Sequence, residues 1–214
     1  MRDFPVFTTE NGVGSLIFRE VPYRGEAYIR IQSTQNFPEF LKECVDFSRA
    51  VGAERIYAAG HPELEKYPFH TAVVAMAAPK EGIGETESCL FPVTEQTLSR
   101  WREIYNKRMA AVPNASWMTE AMAYEMLRDA EGYFVHENGQ LLGIGRVSGS
   151  KISAVAACQK GAGETVVKAL CHAITGETVT LEVASANEKA VRLYEKLGFV
   201  PQREISRWYR VDGL

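Results

Sequence analysis

The chain has 214 residues, 46% hydrophobic and 24% charged, with a formal net charge of −3. That composition supports an ordinary buried core and excludes a disordered chain, and the lack of a long basic run argues against nucleic acid as a partner. No apolar stretch reaches the ~20 residues that span a bilayer, and no apolar run follows Met1-Arg2-Asp3-Phe4-Pro5, so the expectation is a cytoplasmic protein with no export signal and no membrane partner.

Four cysteines (Cys44, Cys89, Cys158, Cys171) lie far apart and read as reduced thiols. The four histidines (His61, His70, His136, His172) show no metal-ligand spacing, so no metal is expected.

In chain order, residues 27–32 alternate as a strand. Residues 36–51 place Phe37, Phe40, Leu41, Cys44, Val45 and Phe47 at helical spacing, and Gly52 ends that helix. Residues 55–59 read as a strand, 62–67 as a short helix and 71–77 as a buried strand. Pro79-Lys80-Glu81-Gly82-Ile83-Gly84 reads as a linker, because Pro and Gly break both helix and strand. A strand is expected at 87–91. Thr94 caps a helix to about Ala111, and Thr119 opens another through Leu127. Residues 132–137 and 141–147 form strands around the hairpin signal Asn138-Gly139. The remaining pattern is strand 151–157, helix 163–174, strand 179–184, helix 187–197 and strand 203–211.

The most specific stretch is Thr180-Leu181-Glu182-Val183, followed by Asn187, Ala190 and Leu193-Tyr194-Glu195-Lys196-Leu197-Gly198-Phe199. An apolar strand carries one carboxylate. The helix after it has an Asn at its start and a Tyr in its last turns, and Gly-Phe stops it. Together and in this order, these features resemble the signature of the GNAT superfamily, the acetyl-CoA-dependent N-acetyltransferases. The resemblance covers about 86–214. It implies an α/β (α+β) protein with the GNAT fold, a mixed central sheet flanked by helices.

Residues 81–214 are then the GNAT acetyltransferase domain. Residues 1–80 read as a degenerate half-GNAT unit, because strand, helix, strand, short helix and strand recur there. In this half, Leu64-Glu65-Lys66-Tyr67-Pro68-Phe69 stands where 193–199 stands in the other. The alternative is a generic βαβ arrangement without shared ancestry. No glycine loop joins its strand and helix, since Ser33-Thr34-Gln35-Asn36 occupies that place, so CoA binding is not expected there.

Cys158-Gln159-Lys160-Gly161-Ala162-Gly163 runs straight into a helix. N–H groups at a helix N-terminus hold anions, and glycines let a phosphate come close. The resemblance implies that the CoA pyrophosphate sits here, on a Gln/Arg-x-x-Gly-x-Gly/Ala pattern. Gly161 and Gly163 fit the glycine positions, whereas Cys158 takes the Gln/Arg position and Gln159 stands one step late. The implied cofactor-binding set is Val155, Ala157, Gln159, Lys160, Gly161, Ala162, Gly163, Glu164 and Asn187. Cys158, beside a helix N-terminus, also reads as a thiol whose pKa is lowered.

Tyr194 has two readings: an aromatic on a buried helix face, or, as the resemblance implies, the proton donor to the departing CoA thiolate. Asn187 caps its helix, and the resemblance adds a hydrogen bond to the pantetheine arm. Glu182 faces opposite to Leu181 and Val183. It reads either as a solvated strand residue or as a general base for the amine, which is mostly ammonium near pH 7. The Val155 N–H and its neighbours are candidates to polarise the thioester carbonyl, a role whose loss typically costs about 3–4 kcal/mol. Glu120, Glu125, His136 and Arg146 are weaker acceptor-pocket candidates. Trp101, Tyr105, Trp117 and Tyr124 read as core or as an acceptor-side cage.

The expected activity is acetyl transfer from acetyl-CoA to a small-molecule or peptide amine by direct attack, in a monomer or homodimer. Two alternatives stand beside it: a non-catalytic CoA-binding or regulatory protein, and an interaction protein using the fold as a scaffold. A Rossmann dinucleotide site is not expected, because no Gly-x-Gly-x-x-Gly opens an early βαβ unit.

Overall fold

The computed structural model describes residues 5–214. The reading of the segment before Pro5 as free of an export signal lies outside the described residues. Contacts divide the chain into two units: residues up to Ala72 with Ile205–Leu214, and Val73–Glu204.

The first unit opens with a hairpin that the sequence reading did not anticipate, β1 (Val6–Thr9) and β2 (Gly12–Ile17), paired antiparallel around Glu10-Asn11. A one-turn helix α1 (Val21–Arg24) precedes β3 (Glu26–Thr34), α2 (Phe37–Ala50) and β4 (Arg55–Ala59). β2 and β3 pair antiparallel, and α2 crosses over to make β3 and β4 parallel. Phe37, Phe40, Leu41, Cys44 and Val45 of α2 are buried with Ile29, Ile31, Ile56 and Ala58. Each large apolar side chain so buried contributes about 1.5–3 kcal/mol relative to exposure. A 3₁₀ turn, Pro62–Lys66, leads into β5 (Phe69–Pro79), which runs across the division. The returning C-terminal segment pairs antiparallel with β4, Tyr209 opposite Ala58. Glu26 is only 5% exposed. It is held by Arg24 (3.0 Å), Arg55 (3.3 Å) and the Tyr28 hydroxyl (2.9 Å), as a buried carboxylate must be.

The expected linker at 79–84 is instead the end of β5 followed by α3 (Lys80–Ile83), pinned by Ile83 at 2% exposure. Gly82 sits within that turn of helix, and the chain leaves it at Gly84.

The second unit continues with β6 (Cys89–Pro92), α4 (Glu95–Met109), α5 (Glu120–Arg128), β7 (Gly132–Glu137), β8 (Gln140–Ser148) and β9 (Lys151–Ala157). It ends with α6 (Gly163–Cys171), β10 (Thr178–Ala184), α7 (Glu188–Lys196) and β11 (Val200–Arg210), whose last residues return to the first unit. Strand order is β5-β10-β9-β8-β7-β6. Only β9 and β10 are parallel, joined through α6, and the other pairs are antiparallel. The sheet is therefore mixed.

One core joins α6 and α7 to the sheet and a second joins α4 and α5 to it. α6 lies close on β8: a Cβ at Gly143 would come within 2.6 Å of Val166 Cγ2, and one at Gly145 would overlap Leu170.

Local chemistry explains the boundaries. The Thr97 hydroxyl accepts from the Thr94 N–H (2.9 Å) and Thr119 Oγ1 accepts from the Met122 N–H (3.3 Å), so both threonines start helices as read. Asn138 and Gly139 take φ of 49° and 75°, the two positive values of a type I′ hairpin turn. α6 stops at Cys171, three residues short of the expected end, where the Ile174 N–H turns back to the Cys171 carbonyl (3.1 Å). β11 begins at Val200, ahead of the expected 203, and accommodates Pro201. Among the described residues no helix is long and apolar enough to cross a membrane, and no group of His, Cys, Asp and Glu is arranged to hold a metal.

Candidate functional site

β9 pairs with β8 as far as Ala157, opposite Gly143. It pairs with β10 only at Lys151 and Ile152, opposite Thr180 and Leu181. Beyond Ile152 the two parallel strands part, and one edge of β9 is left open. The Cys158 N–H donates to the Leu142 carbonyl on the β8 side (2.7 Å). Because successive strand N–H groups alternate in direction, those of Val155 and Ala157 point to the open edge.

A cavity of about 340 Å³ opens where the strands part, and Val155, Glu182, Asn187 and Tyr194 all line it. An adjoining cleft of about 650 Å³ is bordered by Val155, Ala157, Asn187 and Arg108.

The loop after β9 enters α6. Gly161 has φ +86° with open space where a Cβ would stand, and at Gly163 a Cβ would come within 3.0 Å of Leu193. The first intrahelical bond runs from the Val166 N–H to the Ala162 carbonyl (2.9 Å). The N–H groups of Gly163, Glu164 and Thr165 therefore precede the ladder and remain for an anion.

Two contacts brace the loop. Arg108 Nη2, from the last turn of α4, donates to the Cys158 carbonyl (2.7 Å). The Gln159 amide donates to the Leu141 carbonyl (3.2 Å) and to Gln140 Oε1 (3.3 Å). The Glu164 side chain is engaged elsewhere, with Lys196 (2.6 Å) and Lys168 (2.9 Å), and these cations hold its carboxyl down at about 2. Lys160 is exposed. Cys158 corrects the expectation of a lowered thiol pKa: burial pushes it up, against the opposing pull of Arg108 and Arg100.

Tyr194 is 8% exposed and its ring meets Phe199 at 5.7 Å. Burial pushes its hydroxyl up to about 12, so at neutral pH it is a phenol with a proton to give. The helix that presents it is capped by Asn187, whose Oδ1 accepts from the Ala190 N–H (3.4 Å).

Glu182 faces the cavity while Leu181 and Val183 are buried on the other face, as strand alternation requires. Its side chain is 43% exposed and pairs with Lys151 on the neighbouring strand at 2.5 Å. Sequence reasoning missed Lys151, because that partnership depends on the register of two strands.

It also missed the cavity roof, the loop after α4 that contributes Val112, Pro113, Asn114 and Ser116. Asn114 has φ +57° and its Oδ1 is buried without a partner. Pro113-Asn114 is a turn signal from which this loop was readable.

Of the aromatics, Tyr105 lines the cavity, stacked on Trp101 at 5.4 Å. Trp101 is fully buried and donates to the Tyr133 carbonyl (3.1 Å), so it is core. Tyr124 is exposed, and Trp117 is absent from the described lining residues. So are Glu120, Glu125, His136 and Arg146, the last of which pairs with Glu131 at 2.5 Å.

The family model for FR47-like protein matches residues 144–209, from β8 to β11. No curated protein matches the chain. Among solved structures, the chain is similar to a functionally unknown conserved protein from Staphylococcus epidermidis, with 10% identity, 97% of this chain and 93% of that one covered, and a TM-score of 0.64. It is similar to a GCN5-related N-acetyltransferase from Sphaerobacter thermophilus, with 14% identity, coverage of 93% and 76%, and a TM-score of 0.59. A tandem GNAT protein from the clavulanic acid biosynthesis pathway is 10% identical, with coverage of 94% and 78% and a TM-score of 0.51. The chain thus has the GNAT fold, and the FR47-like match falls on the segment that bears the site.

Proposed function

We propose that the protein is an N-acetyltransferase that moves acetyl from acetyl-CoA to a primary amine by direct attack in a ternary complex. The observation that carries this reading is the parting of β9 from β10. It brings unpaired N–H groups, a buried phenol and a carboxylate to one cavity, beside an open helix N-terminus.

The residues present fit acetyl-CoA. The N–H groups of Gly163, Glu164 and Thr165, with Gly161 and Gly163 leaving room, would hold the diphosphate. Val155, Ala157 and Asn187 border the cleft for the pantetheine arm. Acetyl-CoA supplies the activated thioester.

Glu182 takes a proton from the acceptor ammonium, leaving a nitrogen lone pair to attack. The Val155 N–H stabilises charge on the carbonyl oxygen. As the C–N bond forms and the C–S bond breaks, Tyr194 delivers a proton to sulfur and is reprotonated from solvent. Of the ammonium's three protons one stays on the amide. The net reaction releases one proton besides the one gained by the thiol.

We also read 1–80 as a degenerate half-GNAT unit that precedes the acetyltransferase domain 81–214 in the sequence. Its parallel β3 and β4 joined through α2 repeat the arrangement of β9, α6 and β10, but with Ser33-Thr34-Gln35-Asn36 in place of the glycine loop.

A non-catalytic CoA-binding protein is the second reading. It is favoured by one observation: the proposed base, Glu182, is already paired with Lys151.

Calorimetric titration of acetyl-CoA into wild type and a Gly161→Asp, Gly163→Asp variant tests the cofactor site. Thiol release on a panel of primary amines, with Glu182→Gln and Tyr194→Phe, then tests the chemistry. Micromolar binding lost in the double variant, with turnover that depends on both side chains, supports transfer. Binding without turnover selects the second reading, and no binding removes both.

A further inference from the structure

Among the described residues lining the cavity two carry charge, Lys151 and Glu182. They sit on adjacent strands, 2.5 Å apart, with side chains 40% and 43% exposed. Strand pairing forces them together, since Lys151 stands opposite Thr180 and Ile152 opposite Leu181, and Glu182 is the next residue on β10. The cavity wall is therefore neutral overall, and its one carboxylate is already matched. That arrangement discriminates among amines.

A polyamine or an aminoglycoside brings several ammonium groups and needs several carboxylates, and this wall has one. A simple alkylamine fares little better. Its ammonium draws Glu182 away and leaves the Lys151 charge without its partner, an expensive state in a half-enclosed site. An acceptor that carries its own carboxylate avoids both penalties. Its carboxylate takes Lys151 Nζ, its ammonium takes Glu182, and one ion pair becomes two charge-assisted pairs. The same exchange leaves the carboxylate that must accept the proton in contact with the amine that must lose it.

Size agrees. About 340 Å³ lies at the small end of ligand cavities and suits a molecule of amino-acid dimensions. The roof adds one further feature: Asn114 Oδ1 is buried without a donor, and an ammonium has N–H groups to supply.

We propose that the acceptor is a small monoamine bearing a carboxylate, an amino-acid-class amine, and that Lys151 is the residue that selects the carboxylate. The proposal rests on the acetyltransferase reading of this cavity, and the bonds exchanged are those given there.

The test uses pairs of amines that differ only by the carboxylate: glycine and methylamine, β-alanine and ethylamine, L-phenylalanine and phenethylamine, with spermidine as the polycation. Thiol release gives kcat/KM for each with wild type, Lys151→Met and Lys151→Arg. Calorimetry in the presence of CoA gives the affinity of the N-acetylated form of each pair member.

The expected result is that the carboxylate member leads by about 10- to 100-fold in wild type, the range of one hydrogen bond to a charged group. Lys151→Met should bring the ratio close to one, and Lys151→Arg should keep it. Equal ratios in wild type, preference for spermidine, or a ratio that survives Lys151→Met would overturn the proposal and leave acetyl transfer standing.

If no amine is turned over, the acetyltransferase reading fails and the binding measurement still decides. Affinity for the N-acetylated amino acids that Lys151→Met abolishes would support the carboxylate site. Affinity indifferent to Lys151, or none at all, would refute it.

Discussion

Replacing Tyr194 by Phe removes one oxygen and keeps the ring against Phe199, so the packing of α7 should survive. In wild type, burial sets the hydroxyl at about 12, which leaves only about one molecule in 10⁵ ionised at pH 7. The phenol is then a donor at every physiological pH. A positioned proton donor contributes about 10²- to 10⁴-fold to rate. Tyr194→Phe should lose that much kcat while its affinity for acetyl-CoA changes little.

The pH dependence follows from the same burial. A tyrosine at its ordinary value would bring an alkaline decline near 10, whereas here the tyrosine-dependent limb lies near 12. Stability carries the same sign. The raised folded-state value stabilises the protein fully below about pH 10, and the contribution fades as pH rises toward 12, by about 2–3 kcal/mol. Tyr194→Phe lacks that pH-dependent loss. The assays are thiol release at saturating acetyl-CoA from pH 6 to 10 and denaturant unfolding from pH 8 to 11. An unchanged kcat in Tyr194→Phe, or a tyrosine-dependent limb at 10, would refute the assignment.

Three other perturbations report on the frame around the site. Gly145→Val forces a side chain into Leu170 of α6, and overpacking of this kind costs about 1–3 kcal/mol. Thermal unfolding should show a midpoint lower by several degrees, and an unchanged midpoint would mean that α6 lies farther from β8. Asn187→Ala removes the cap of α7 and should cost about 1 kcal/mol of stability. Asn187→Asp keeps the cap, so weaker acetyl-CoA binding in that variant isolates any contact to the pantetheine arm. Arg108→Ala removes the donor that braces the Cys158 carbonyl. A net loss of about 1 kcal/mol predicts roughly fivefold weaker acetyl-CoA binding by calorimetry, and unchanged affinity would show that the loop holds its shape without Arg108.

Where local chemistry decides the backbone, the sequence was legible. Asn138-Gly139 is a turn because both residues tolerate positive φ, Thr94 starts a helix as its N–H is taken up by the Thr97 hydroxyl, and Thr119 starts one because its own hydroxyl accepts from the Met122 N–H. The resemblance singled out Glu182, Asn187 and Tyr194, and all three line one cavity.

What escaped depends on distant partners. The hairpin of β1 and β2 went unread because Gly12 and Gly14 leave β2 without a clear alternation of side chains. They are glycines because the Phe40 ring lies on them: a Cβ at Gly12 would come within 2.8 Å of Phe40 Cγ. The Pro-Gly stretch at 79–84 read as a linker because punctuation residues say nothing of Ile83, whose burial fixes a turn of helix there. Lys151 was invisible as the partner of Glu182 because strand register joins residues 31 apart. Arg108 took its place at the loop through α4, where no pattern within 158–163 records it.

The central claim is transfer of acetyl to an amine in the cavity where β9 and β10 part. The most direct test is to incubate the full chain with acetyl-CoA and a mixture of primary amines, following free thiol and N-acetylated product together. The account predicts thiol release in step with one acetylated amine and its loss in Tyr194→Phe. Thiol that appears without an acetylated amine, or an equal yield from Tyr194→Phe, would contradict it.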